Sequence, residues 1–329
     1  MQERQSNIEL CRIIAILMVV FLHSDFSVFG WPETIDQIHL PLLVGESFCI
    51  IGVNVFVLIT GYFSTTPKLK SLLNLAYICL FYAVLRIVFD LFTGQPITVN
   101  NFFFISRSNW FIPVYLGLVL FTPALNAMCN SLPKRNFQIT LLSLLVFEFY
   151  MGYSSDKLQF EIGITGITVF AFMILYLIGR SVKMYGVPIF VQKHCVVLYI
   201  VTSIVLAAIY YVGVYFGHGG GARKMLSYSS PLVIFSALCF LLIFVKMKIS
   251  TSKVINHISK SVLAVLLVHA CREASVYLHS QYEFLFANYS GGWVVILWII
   301  AILTTFVFAV ILDQFRIFSW KIIQKQFFK

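Results

Sequence analysis

The chain is short of charge. Asp, Glu, Lys and Arg make up 11% of its 329 residues, and only 13 residues are acidic. A soluble domain carries about 25% charged residues, so an ordinary water-soluble fold is excluded. Grouped cysteines are missing too. Cys11, Cys49, Cys79, Cys129, Cys195, Cys239 and Cys271 stand singly in or beside apolar runs. No CxxC or Cys/His spacing marks a metal site, and such thiols read as small buried hydrophobes. The run Gly219-Gly220-Gly221 lacks the GxxxxGK[ST] pattern of a phosphate loop and reads as a flexible turn. There is no internal repeat, no linker long enough to set off a second domain, and no small-residue cleavage site after the first apolar run.

What is present is hydrophobicity. Apolar residues are 60% of the chain and its mean hydropathy is +0.92. With a window of about 20 residues, ten spans are predicted: 8–29, 42–63, 71–93, 111–129, 138–152, 164–185, 195–217, 231–249, 258–279 and 291–312. The expectation is an all-α polytopic transmembrane bundle over residues 1–329, in the cell's inner (plasma) membrane. With the N-terminus inside, 16 Lys and Arg, Arg180 and Arg316 among them, fall in cytoplasmic segments or at the cytoplasmic ends of spans, against four outside (Arg107, Lys157, Arg223, Lys224) and three deeper within spans (Arg12, Arg86, Arg272). This follows the positive-inside rule and puts both termini in the cytoplasm. The formal net charge of +10 is therefore topology rather than a nucleic-acid footprint.

Against this background the stretch ELCRIIAILMVVFLHSD (9–25) stands out. Arg12 and His23 are eleven residues apart, and at about 100° per residue they share a helix face, separated by about 16 Å. Glu9 lies one turn below Arg12, close enough to pair with it. Ionisable groups at membrane depth are costly and face a cavity or a partner. Arg86 and Asp90 are also at pairing distance, at i,i+4. In the ninth span His269 and Glu273 share a face, with Arg272 one turn from His269. Trp110 opens the fourth span, where interfacial anchors belong.

The acid–x2–Arg–x10–His arrangement resembles that of the acyltransferase-3 family of integral-membrane O-acyltransferases. GVNVFVLITGYFS (52–64), NWFIPVYLGLVLFTPALN (109–126), LYLIG (175–179) and INHISKSVLAVLLVH (255–269) are similar to later family signatures, in the family's order. The likeness runs from residue 9 to about 316. It implies transfer of an acyl group, acetyl by default, from cytoplasmic acetyl-CoA to a hydroxyl of a cell-surface glycan or its lipid-linked precursor. The donor is a substrate, and no permanently bound cofactor is implied.

A thioester acyl transfer to an alcohol needs a base, and an unperturbed imidazole titrates near neutrality. His23 takes that role, with Arg12 and Glu9 beside it in the catalytic set. Asp25 orients the imidazole only if the helix ends there. Arg12, Lys68, Lys70, Trp110, His269 and Arg272 are the candidates for holding the acyl-CoA. Two departures from the family pattern stand out: Glu9 replaces its usual Asp, and TTPKLKSLL (65–73) offers Lys68 and Lys70 where relatives carry arginines. Two other readings stay open at this point, a transporter or flippase of a lipid-linked sugar and a polyprenyl-phosphate-dependent glycosyltransferase. Binding of acetyl-CoA separates the first reading from both.

Overall fold

Sixteen α-helices carry the fold among the described residues. In the computed structural model, residues 4–97, 109–154 and 166–327 are described, and among them no strand occurs. The helices are α1 (Ser6–Leu22), α2 (Phe26–Phe29), α3 (Leu40–Cys49), α4 (Gly52–Tyr62), α5 (Leu69–Thr93), α6 (Phe111–Ser131), α7 (Lys134–Ser154) and α8 (Val169–Tyr185). They continue with α9 (Ile189–Lys193), α10 (Cys195–Tyr215), α11 (Gly219–Lys224), α12 (Pro231–Lys246), α13 (Lys253–Ile258), α14 (Val262–His269), α15 (Arg272–Asn288) and α16 (Gly291–Phe327). The chain divides into two units. Met1–Thr66 with Val114–Asn256 forms the first; Pro67–Pro113 with His257–Lys329 forms the second.

By length and composition six stretches among the described residues can cross a membrane: Ser6–Phe29, Leu40–Tyr62, Leu69–Thr93, Phe111–Ser131, Cys195–Tyr215 and Gly291–Gln326. The helices over the predicted fifth and sixth spans exist, but α7 carries Lys134, Arg135 and Glu148 and α8 is 17 residues long. Likewise α12 is apolar but only 16 residues long. The predicted ninth span is not one helix. Lys253–His269 and Ala274–Asn288 meet at 82°, where the apolar VLAVLLVH gives way to the polar REAS. The i,i+4 argument that put Glu273 beside His269 fails with it. The tenth span runs on through predicted tail residues to Phe327.

Within the first unit, α4 is the hub: Gly52–Gly61 is buried apart from Phe56, with α1, α8 and α12 packed against it. Two close approaches set the direction of the second span against the first. A Cβ on Gly45 would overlap the Phe21 ring, and one on Gly52 would lie 2.8 Å from the Ala15 carbonyl oxygen. Later residues of one meet earlier residues of the other, so the two run antiparallel. On the far side of α4, a Cβ on Gly61 would overlap the Tyr176 carbonyl oxygen and one on Gly179 that of Leu58. In a bilayer, lipid is as apolar as leucine, so burial alone does not hold helices together; small residues that let backbones touch do. Polar ties add to this, with Asn54 Nδ2 donating to Tyr228 O at 2.9 Å, Tyr199 Oη to Phe48 O at 2.9 Å and Tyr210 Oη to Pro32 O at 2.8 Å. Each contributes about 0.6 kcal/mol on average.

The second unit packs α5, α14 and α16 around Ile78, Tyr82 and Ala264. Tyr82 Oη donates to Asp313 at 2.9 Å, and Asp313 takes a two-pronged bond from Arg316. Arg316, expected in a cytoplasmic tail, is therefore a buried helix residue. On α5, Leu91 and Phe92 are exposed at 63% and 88%, the surface a lipid-facing helix presents.

Candidate active site

α1 is an uninterrupted apolar helix whose last carbonyls need partners. His23, its C-cap, supplies one: ring Nδ1 lies 2.8 Å from the Val19 carbonyl oxygen. A carbonyl only accepts, so Nδ1 carries the proton and, in the neutral ring, Nε2 keeps the lone pair. Ser24 Oγ donates to Phe21 O at 2.7 Å. The helix does end where Asp25 needed it to, yet Nδ1 is bonded to backbone and not to Asp25. Asp25 instead precedes α2 and turns inward.

His23 lines a cavity of about 700 Å³ in the first unit. α1 and α2 contribute Leu22, His23, Asp25, Phe26 and Ser27, and α3 contributes Glu46 and Ile50. The remaining wall is Trp31, Ile167 and the segment around α11, with Gly220, Arg223, Lys224, Ser227 and Tyr228. Asp25 and Glu46 are 0% and 4% exposed. Their carboxyls lie against one another, although neither Asp25 oxygen makes a hydrogen bond of good geometry. Arg223 offsets this charge: its field reaches Glu46, and its guanidinium sits 4.7 Å from the Trp31 ring centre. Burial, with the Glu46 and Asp25 charges adding to it, holds the Tyr228 phenol well above its ordinary pKa. Tyr228 is thus a neutral hydrogen-bond donor at physiological pH. A base, two carboxyls, a phenol and two cations around one space can bind a polyhydroxylated molecule and remove one of its protons.

The expected Glu9–Arg12 pair forms, with Arg12 Nη1 at 3.1 and 3.3 Å from the two carboxylate oxygens, and Arg4 stands 3.7 Å from Glu9. These residues do not line the cavity. The continuous helix from Ser6 to Leu22 keeps Arg12 about 16 Å from His23 along its axis. Lys68 and Lys70 are exposed at the start of α5, in the second unit. Trp110 is half-buried before α6 with its ring edge-on to Phe111. His269 is 2% exposed at the end of α14, and its Nδ1 lies 2.6 Å from Val265 O. Arg272 begins α15; its side chain, like that of Glu273, lies outside the described residues. Arg107 and Lys157 lie outside them altogether. Arg86 and Asp90 pair at 4.0 Å as their spacing predicts. The glycine run expected as a turn forms α11.

Glu46, Arg223, Trp31 and Tyr228 are missed by motif reading. Glu46 had a usable signal, being the one carboxylate inside the apolar run LPLLVGESFCIIGVNV. Trp31 and Tyr228 come from loops and Arg223 from the short α11, all placed only by packing.

With this geometry in view, the chain was compared with known proteins. Residues 5–314 of the 329 match the acyltransferase domain family, and the chain belongs to that family. Its apolar helices make it a multi-pass membrane member. No curated protein and no solved structure matches it.

Proposed function

We propose that the protein transfers an acetyl group from cytoplasmic acetyl-CoA to a hydroxyl of a cell-surface glycan or its lipid-linked precursor, with His23 as general base. The observation that carries this is the place of His23 on one cavity wall with Asp25, Glu46, Arg223 and Tyr228, with Nδ1 committed to Val19 O and Nε2 left as the basic nitrogen. In this reading an acceptor hydroxyl gives its proton to Nε2 while its oxygen attacks the thioester carbonyl. The tetrahedral adduct then expels CoA thiolate, which takes the proton back from the imidazolium. The Val19 carbonyl steadies that cation through Nδ1–H. Asp25, Glu46 and Tyr228 hold the acceptor's other hydroxyls, and Arg12 serves the donor from the N-terminal end of α1. The bundle crosses the inner membrane about ten times with both termini inside, so only the acyl end of the donor has to enter the bilayer.

The test is transfer of labelled acetyl from acetyl-CoA to cell-envelope glycan by membranes carrying the protein. Wild type should label the glycan, and His23→Gln should not. Equal labelling by the two would remove His23 from the mechanism. Failure of the purified wild type to bind acetyl-CoA would favour the flippase reading.

A further inference from the structure

Arg180 is 9% exposed, and no carboxylate lies within ion-pair distance of it among the described residues. Its partners are neutral: Nη1 donates to Ser64 Oγ and Nη2 to Asn130 Oδ1 at 3.4 Å, and the Cys129 thiol lies against the guanidinium, while Nε has no partner among the described residues. A buried cation without a counter-charge is costly, and the other buried or half-buried arginines among the described residues have one. Arg316 has Asp313, Arg86 has Asp90 and Arg12 has Glu9. Two further cations accompany Arg180, both engaged by aromatic faces rather than by acids. Lys183 Nζ sits 4.8 Å from the Tyr62 ring centre and Lys134 Nζ 5.3 Å from that of Tyr185. Ser64 itself holds φ at +53°, a left-handed backbone that serine adopts only when its surroundings impose it.

The close glycine contacts between α4 and α8 hold Arg180 against the end of α4. Because the second span runs antiparallel to the first, that end lies where α1 begins, the end that carries Arg12. We infer that Arg180, with Ser64 and Asn130, forms a binding site for a phosphate group, the planar guanidinium offering the paired donors that such an oxyanion takes. Resting on the acyltransferase reading, we assign this site to a phosphate of the CoA donor. An anionic lipid headgroup carries the same chemistry.

The experiment uses the full chain in nanodiscs and two variants. Arg180→Gln removes the cation. Asn130→Asp is isosteric and places a carboxylate on Nη2, so it supplies the missing counter-charge without emptying the site. Calorimetric titration with CoA, ADP and inorganic phosphate in zwitterionic discs should show each variant binding CoA about tenfold more weakly than wild type, as loss of a charge-assisted contact predicts. Asn130→Asp should do so with no loss of thermal stability, which keeps the test open if Arg180→Gln fails to fold. CoA affinity unchanged in Asn130→Asp would overturn the donor assignment. Should wild type bind no CoA but gain stability from inorganic phosphate or from anionic discs in a way Asn130→Asp abolishes, the acyltransferase reading fails and the phosphate site stands. Indifference of wild type to all of these anions removes the site.

Discussion

The two units carry matched local devices with opposite surroundings. Each has a histidine ending a helix with Nδ1 on the carbonyl four residues back, His23 at 2.8 Å and His269 at 2.6 Å. Each also has an acid and an arginine at i,i+3, Glu9–Arg12 and Asp313–Arg316. Yet His23 lines a cavity that also presents two carboxyls and two cations, whereas His269 is 2% exposed at the end of the apolar α14. Arg12 keeps 32% of its side chain exposed on a single-nitrogen contact, whereas Arg316 is 4% exposed and held by two. The histidine lock is thus what a helix terminus does with an imidazole. Chemistry has to be argued from the space around it.

The largest effect expected from this contrast is on catalysis. His23→Ala should lower acetyl transfer by about 10²–10⁴-fold, the usual contribution of a general base, with little change in thermal stability. His269→Ala should do the reverse, and a rate loss in His269→Ala as large as in His23→Ala would break the distinction. Next comes stability. Asp313→Asn strands a buried guanidinium and should cost about 3–5 kcal/mol, read as a lower unfolding midpoint in detergent. Arg12→Ala removes a half-exposed pair and should cost under about 1 kcal/mol, while raising KM for acetyl-CoA. A smaller effect is expected at the cavity wall. Glu46→Gln should raise KM for the acceptor about tenfold, by loss of a charged hydrogen bond, and leave the dissociation constant for CoA in place. The smallest belongs to Tyr228→Phe, which deletes one neutral donor and should change acceptor KM by about threefold. A larger shift in donor than in acceptor binding in either variant would move the acceptor out of this cavity.

Much of the first unit's polar stripe was legible because it is local. The Glu9–Arg12 pair, the shared face with His23 and the Arg86–Asp90 pair follow from helical spacing within one element. Glu46 beside Asp25 was not legible, because twenty residues and a turn separate them and only the antiparallel packing of two spans joins them. Arg180 read as an ordinary cytoplasmic cation for the same reason. Its burial depends on Gly61 and Gly179 letting α4 and α8 touch backbone to backbone, a relation no single-helix period encodes. The break after His269 escaped the hydropathy window because a 20-residue average spreads the polar start of α15 over the apolar end of α14.

The same glycine contacts divide the first unit into a rigid part and a part that can be tuned. Helices joined backbone to backbone have no side-chain layer in which to slide, so α4 and α8 act as a fixed post. The α11 segment, on the cavity wall, has no such backbone contact at two of its glycines. Gly220 and Gly221 there meet nothing within 4 Å where a Cβ would stand. Alanine at both would stiffen that short helix by about 1 kcal/mol for each glycine replaced, without touching a neighbour. The cavity wall can thereby be stiffened apart from the post formed by α4 and α8.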